Sequence, residues 1–205
     1  MVRALLDGSK TQTRRVIKPQ PNGDYLGCSN IGHPKFEQWF EFSDVRIKCP
    51  HLIGSRIWVK ETHYWDRFEK IPKTKPADFP IDFYYRADGD CCQQIPECCC
   101  GTEEKPKWRP SIFMPRWASR IELEVTAVTV ERVRDISQQD AIAEGIHRRD
   151  ADFVPMWRDY SGHDEVFGPN PIESYRSLWD SINVKKHPWS SNPFVFVYSF
   201  RRVKP

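Results

Sequence analysis

A chain of 205 residues is long enough for one core-bearing domain with elaborations, and 31 Lys and Arg against 28 Asp and Glu leave a formal charge of only +3. A field that weak excludes capture of nucleic acid by overall charge, so any such contact needs a local basic patch. No stretch has the apolar length to cross a bilayer, and "MVRALLDGSK" is too short and too charged for a signal peptide, so the expectation is a cytoplasmic protein with no membrane partner.

In chain order, "VRALLDG" places Val2, Leu5 and Leu6 at helical spacing, and Gly8 stands where a left-handed cap ends a short helix. "KTQTRRVIKPQP" then alternates with β-branched residues up to Pro19 and Pro21, which reads as a strand over 11–17. Residues 22–50 dissolve into Gly, Pro and aromatics and read as a hairpin or loop, with "FEQWFEF" a candidate strand. "GSRIWVKE" supplies a turn at Gly54 and a strand through Ile57, Trp58 and Val59.

Residues 69–110 are rich in proline and cysteine around a short strand-like "IDFYYRA", and read as an insertion. "SRIELEVTAVTVERV" is the clearest strand: Ile121, Leu123 and Val125 face one way, then Val128 and Val130 resume out of phase, which implies a bulge or bend near Ala127. "DISQQDAIAEGI" reads as a helix with Ser137 as N-cap and Gly145 closing it. Residues 147–171 read as a further loop insertion. "PIESYRSLWDSIN" then forms a helix with Tyr175, Leu178, Trp179 and Ile182 on one face, and "PFVFVYSFRR" a last strand, apolar on both faces. The count predicts an α+β domain over 1–205, a mixed β-barrel of about five or six strands with flanking helices and long loop insertions.

The order of these parts carries a resemblance. A helix ending in "GSKTQTRR", a "GSRIWVKE" strand, "LEVTAVTVERVRDISQQDAIAEGI" and a terminal "FVFVYSFRR" resemble the ASCH domain of the PUA-like superfamily, in the longer form often encoded by phages and prophages. The family signature G-x-K-x-x-x-x-R is met by Gly8, Lys10 and Arg15. The resemblance implies a PUA-like barrel whose cleft is similar to RNA-binding pockets, and a small bacterial member removes acetyl from acetylated cytidine. Its catalytic Lys, Thr and Glu fall here on Lys10, Thr13 and Glu144. Relatives usually carry a strand before the first helix, and this chain begins at that helix, so the expectation is a barrel strand absent or replaced, either because the start is truncated or because the insertion compensates.

Amide hydrolysis needs a nucleophile, a base for its proton, and donors for the oxyanion. Thr13 supplies a hydroxyl, and Lys10 serves as base only if burial or cationic neighbours such as Arg14 and Arg15 lower its pKa. Glu144 either holds the lysine ammonium or passes the proton to the leaving amine, although its charge raises the lysine pKa. Residues three apart on a regular strand point to opposite faces, so Lys10 and Thr13 converge only across a bend. The plainer alternative makes Lys10 and Arg15 solvated charges, Thr13 a strand former and Glu144 a charge at a helix end.

Basic residues interleaved with aromatics form a second constellation. Trp58 with Lys60, Trp65 with Arg67, Trp108 with Arg109, and Arg116, Trp117 and Arg120 in "MPRWASR" offer stacking faces beside phosphate-pairing charges, or else fill the core. With Gly8, Arg14 and Arg15, the residues Trp58, Lys60, Arg116, Trp117 and Arg120 are the candidate ligand contacts.

Seven cysteines, an odd number, argue against a disulfide scaffold and for thiols or a metal. Cys91, Cys92, Cys98, Cys99 and Cys100, with Cys49 and His51 elsewhere, supply enough donors for a structural zinc but no C-x-x-C knuckle, so surface thiols and no cofactor are expected. Ser161 and His163 lack the strand-turn-helix setting of a nucleophile and read as a polar loop. The expected function is therefore a nucleoside, modified-base or RNA-binding protein with amidohydrolase activity. The alternatives are a non-catalytic reader of modified nucleic acid and a ribonuclease, the latter lacking a clear metal-binding carboxylate cluster.

Overall fold

Helix α1 spans Val2–Leu6, and the chain reverses at Gly8, whose φ of +81° is a conformation glycine adopts without strain. Strand β1, Gln12–Val16, follows at once. The computed structural model describes residues 2–29, 37–65, 71–77, 83–89, 107–151, 154–162 and 167–203. Strands β5 (Arg56–Trp58), β8 (Glu122–Arg132) and β12 (Phe194–Val203) join β1 in one four-stranded sheet, ordered β1-β12-β8-β5 and curled as a half-barrel. The strands expected to share a sheet do share one. The sheet has four strands rather than five or six, because the remaining strands pair locally.

The chain divides into two compact units, residues 3–56 with 124–202, and residues 57–123 with 203–205. In the first, the stretch read as hairpin or loop is a three-stranded sheet of β2 (Tyr25–Ser29), β3 (Trp39–Phe42) and β4 (Arg46–Lys48). The stretch read as a loop over 147–171 likewise contains β9 (Arg148–Ala151), β10 (Val154–Arg158) and β11 (Phe167–Gly168), again an antiparallel sheet. The candidate strand in "FEQWFEF" contains β3; the other strands of these two sheets were illegible for one reason. These strands carry few β-branched residues, and ladder pairing with a neighbour outweighs their weak local propensity.

Strand β12 organises the first unit. Val195 and Val197 join a buried cluster with Trp157, Tyr175, Leu178, Trp179 and Trp189. Phe194 and Phe196 leave the other face and meet Phe42 and Phe40, with ring centroids 5.0 and 5.2 Å apart. A strand apolar on both faces is thus covered on both faces. In β8, Thr126 and Ala127 are consecutive exposed residues between buried Val125 and Val128, which is where the phase of the sequence pattern shifts.

Helix α2, Gln138–Ala143, is capped by Ser137, whose Oγ accepts from the Asp140 N–H at 3.1 Å. Helix α3, Pro171–Asn183, is capped by Asn170 and buries Tyr175, Leu178 and Trp179. Ile182, expected on the same face, is 66% exposed instead, because it falls in the last turn, past the edge of the buried cluster.

In the second unit, β6 (His63–Trp65) and β7 (Phe83–Tyr85) form an antiparallel hairpin over a core of Trp65, Phe83, Tyr85, Met114 and Ala118. No helix among the described residues is long and apolar enough to cross a membrane.

Candidate functional site

Glu144 is the C-cap of α2, and Gly145 turns the chain with φ +76°. A Cβ at Gly145 would lie 2.7 Å from the Lys10 Cβ and 2.9 Å from the Ala4 Cβ, so glycine is what lets this turn close over the α1–β1 junction. The junction is pinned by Lys10 N–H to Ala4 O at 2.8 Å and Thr11 N–H to Ala143 O at 2.8 Å. Those two backbone bonds bring Lys10 against Glu144 across 134 residues of sequence.

The Lys10 ammonium donates to Glu144 Oε2 at 2.8 Å and to the Glu144 carbonyl at 2.6 Å, with both side chains nearly excluded from solvent. Burial lowers the Lys10 pKa, the Glu144 charge opposes that, and Arg15 and Arg14 push the same way as burial. The other carboxylate oxygen, Oε1, receives Arg14 Nη1 at 3.3 Å and the Tyr175 hydroxyl at 3.5 Å. Arg14 also donates Nε and Nη2 to Glu131 Oε1, at 2.8 and 2.6 Å, and stands 3.7 Å from Asp140. Burial and the Glu144 charge hold the Tyr175 phenol well above its ordinary pKa, so it stays a donor.

This network fronts a cleft of about 440 Å³, a size suited to a small molecule. Thr13, Arg14, Arg15 and Lys18 form its β1 wall, Glu144 and Tyr175 part of its floor, and Trp179, Lys185, Lys186 and His187 the far side. Arg15, Lys18, Lys185 and Lys186 make no ion pair with a described carboxylate; Arg15 leaves β1 on the Thr13 face, and the charges of Lys18, Lys185 and Lys186 are available to a ligand. β1 is an edge strand, and its ladder has Thr11 O bonded to Phe200 N and Ile17 N to Phe194 O. Within the strand, Thr13 and Arg15 therefore spend their backbone groups on β12, and those of Arg14 and Val16 point along the other edge of β1.

The sequence-predicted residues divide into three sets. Gly8, Lys10, Thr13, Arg14, Arg15 and Glu144 belong to the first unit, and four of them wall the cleft, with Lys10 bonded to Glu144 behind. Arg14 is not free for a ligand: its side chain is fully buried among Glu131, Glu144 and Gln12. Thr13 pairs with Tyr198, whereas Arg14 pairs with Val197 on the helix side, so the Thr13 side chain leaves the sheet on the face opposite Arg14. Its hydroxyl has no hydrogen-bond partner among the described residues.

Trp58, Lys60, Arg116, Trp117 and Arg120 belong to the second unit. Arg120 forks onto Glu61 at 2.9 and 3.0 Å and onto Asp88 at 2.7 Å, and lies 4.0 Å over the Tyr85 ring. Trp117 donates to Pro72 O at 2.8 Å and packs edge-on to Trp65 and Phe83. These contacts of Arg120 and Trp117 hold the unit together. Trp58, Arg116 and Arg120 line a small cleft of about 140 Å³, where Lys60 stands 5.1 Å from the Trp58 ring and Arg116 reaches Glu122 at 3.4 Å.

Cys91, Cys92, Cys98, Cys99, Cys100 and His163 lie outside the described residues. Cys49 donates to the His51 carbonyl at 3.0 Å, and among the described residues no three His, Cys, Asp or Glu side chains group to hold a metal ion. Sequence reasoning missed Glu131, Tyr175 and the Lys185–His187 stretch. Only the last left a local signal, three consecutive basic residues just after a helix. Compared with known proteins, the chain matches no family model, no curated protein and no solved structure.

Proposed function

We propose that the cleft along β1 binds a nucleoside or an RNA element carrying a modified base, and that the chain hydrolyses an N-acyl amide on it, as the resemblance to acetylcytidine amidohydrolases implies. The observation that carries this reading is the buried Lys10–Glu144 pair standing behind a cleft lined by lysines that make no ion pair with a described carboxylate. Lys18, Lys185 and Lys186 suit the phosphates or carbonyl oxygens of such a ligand.

The hydrolysis requires Thr13 to turn toward Lys10, from which its register directs it away; its oxygen then adds to the acyl carbon while its proton passes to the neutral form of Lys10. The tetrahedral oxyanion collapses, the C–N bond breaks, and the proton goes to the leaving amine. Water then cleaves the acyl-threonine ester to release the acid and restore the hydroxyl. Burial favours the neutral lysine this step needs, and Glu144 returns the ammonium to position between turnovers.

A second reading, a reader of modified bases with no turnover, is favoured by the register of Thr13, which turns its side chain from the Arg14 face. Incubation with N4-acetylcytidine and with cytidine, followed by chromatography, tests both. Release of cytidine and acetate by the wild type and its loss in Lys10→Ala and Thr13→Val supports the hydrolase. Tight binding of the acetylated nucleoside without product supports the reader, and neither binding nor turnover overturns both.

A further inference from the structure

A second cavity of the first unit, about 680 Å³, is walled by residues of α3, β10 and β11 and shares no lining residue with the cleft on β1. Its volume lies in the range of small-molecule sites. Glu173, Ser177, Asp180, Ser181 and Val184 recur three and four apart on α3, so one face of the helix supplies a wall. The hydroxyl protons of that wall are spent on the protein: Ser174 Oγ donates to Arg158 O at 2.6 Å, Ser177 Oγ to Ser174 O at 2.8 Å and Ser181 Oγ to Leu178 O at 2.7 Å. These hydroxyls can therefore meet a ligand as acceptors only.

Two carboxylates add charge to the same cavity. Asp159 Oδ1 accepts from the Ser161 N–H at 2.8 Å, and that backbone bond, with the Ser161 hydroxyl, holds the carboxyl below its usual range. Asp180 Oδ1 accepts from the Trp189 N–H at 2.7 Å. Neither carboxylate pairs with a described cation, whereas Glu173 is paired with Arg176 at 3.3 Å. Tyr160 and Phe167 complete the wall, but each already has an arginine of the chain, Arg158 and Arg149, 5.6 Å from its ring, so the polar groups decide the ligand.

An independent observation points to an occupant. Trp157 lines the cavity at 8% exposure, and its indole N–H is buried with no acceptor among the described residues. A buried donor left unpaired is costly and uncommon, and an acceptor on a ligand would satisfy it. The acceptors of the α3 wall and the two free carboxylates outnumber the three donors of an ammonium and suit the five of a guanidinium, while the indole asks for a carbonyl oxygen on the same ligand. A polyamine would answer the charge and leave the indole unpaired. A phosphate would be repelled by Asp159 and Asp180.

We propose that this cavity binds an arginyl group, with the guanidinium on Asp159 and Asp180 and the carbonyl oxygen on the Trp157 N–H, carried either by free arginine or by an arginine residue of a peptide. The site stands whether or not the β1 cleft is hydrolytic.

Calorimetry on the full chain with N-acetylarginine amide tests this, with N-acetylcitrulline amide, N-acetyllysine amide and agmatine as comparison ligands. The arginine amide is expected to bind about tenfold or more tighter than the citrulline amide, which keeps the shape without the charge, and tighter than the lysine amide. Asp159→Asn and Asp180→Asn keep the oxygens that accept from Ser161 and Trp189, and each should weaken the arginine amide about tenfold, the loss of one charge-assisted hydrogen bond. Trp157→Phe should weaken it about threefold and leave agmatine, which has no carbonyl, unchanged. Tighter binding of Ac-Gly-Arg-Gly amide than of free arginine identifies a residue in a peptide as the source, and the reverse order identifies the free amino acid; either supports the site. No binding of the arginine amide, equal binding of the citrulline or lysine amide, or unchanged affinity in both aspartate variants would each overturn the proposal. If Trp157→Phe fails to fold, the aspartate variants decide the guanidinium, and arginine amide binding no tighter than agmatine overturns the role of the indole.

Discussion

Lys10 and Glu144 form an ion pair at 2.8 Å whose partners are both nearly excluded from water, and the same lysine donates to the Glu144 main-chain carbonyl at 2.6 Å. One residue is thereby bound twice to another 134 positions away, and α1, β1 and the end of α2 are tied at one point. A buried pair of this kind is costly to break and cheap to replace, because removing one partner strands the other's charge.

Glu144→Gln and Lys10→Met should each destabilise the chain by about 3–5 kcal/mol, the range for breaking a buried pair. The double variant should lose clearly less than the sum. A double-mutant cycle by urea unfolding reads the coupling, and strict additivity would show that the pair contributes nothing of its own.

Gly145→Ala should lower stability by about 1–3 kcal/mol, since it forces a Cβ into contact with Lys10 and Ala4 at a positive φ. It should also displace Lys10, so ligand affinity falls along with the unfolding midpoint. A variant with unchanged midpoint and unchanged affinity would contradict the close approach.

Alkaline pH should destabilise the fold through its buried phenols. Burial raises the pKa of Tyr175 and of Tyr198, with the Glu144 charge and the Cys49 thiol respectively adding to it. A phenol whose folded pKa exceeds its unfolded value of about 10 adds stability that is fully present below that pH and is lost as pH rises toward the folded value. Lys10 acts with the opposite sign, since its lowered folded pKa makes stability rise between that pKa and about 10.4. Urea unfolding across pH 8–11 should show a flatter alkaline decline for Tyr175→Phe and a smaller rise below pH 10 for Lys10→Met.

Lys185→Gln with Lys186→Gln should weaken binding of cytidine 5′-monophosphate more than binding of cytidine, because both lysines line the cleft and have no carboxylate partner among the described residues. Titration calorimetry at low and moderate salt should show the gap between the two ligands narrowing in the variant. Equal losses for both ligands would place the lysines on the base or sugar rather than on the phosphate.

Ser137→Ala should cost about 1 kcal/mol, the usual loss of an N-cap that accepts from the backbone. Urea unfolding reads it, and an unchanged midpoint would mean the first turn of α2 is held by packing alone.

By itself the sequence determined what is local. The cap at Ser137, the turn at Gly8, the period-two runs of β1 and β8, the apolar run of β12 and the buried stripe of α3 were legible because each is set by neighbours within a few residues. Lys10 and Glu144 were singled out through a resemblance, but their contact rests on two backbone hydrogen bonds between α1, β1 and α2 that no local pattern encodes. Arg14 shows the difference most plainly. Sequence placed it among ligand-binding residues as a free cation, and tertiary packing surrounds it with Glu131, Glu144 and Asp140. Arg120 is committed to Glu61 and Asp88 in the same way. Which cations remain available to a ligand depends on where distant carboxylates arrive, because only the folded chain brings opposite charges within hydrogen-bond reach and removes the water that would otherwise screen them.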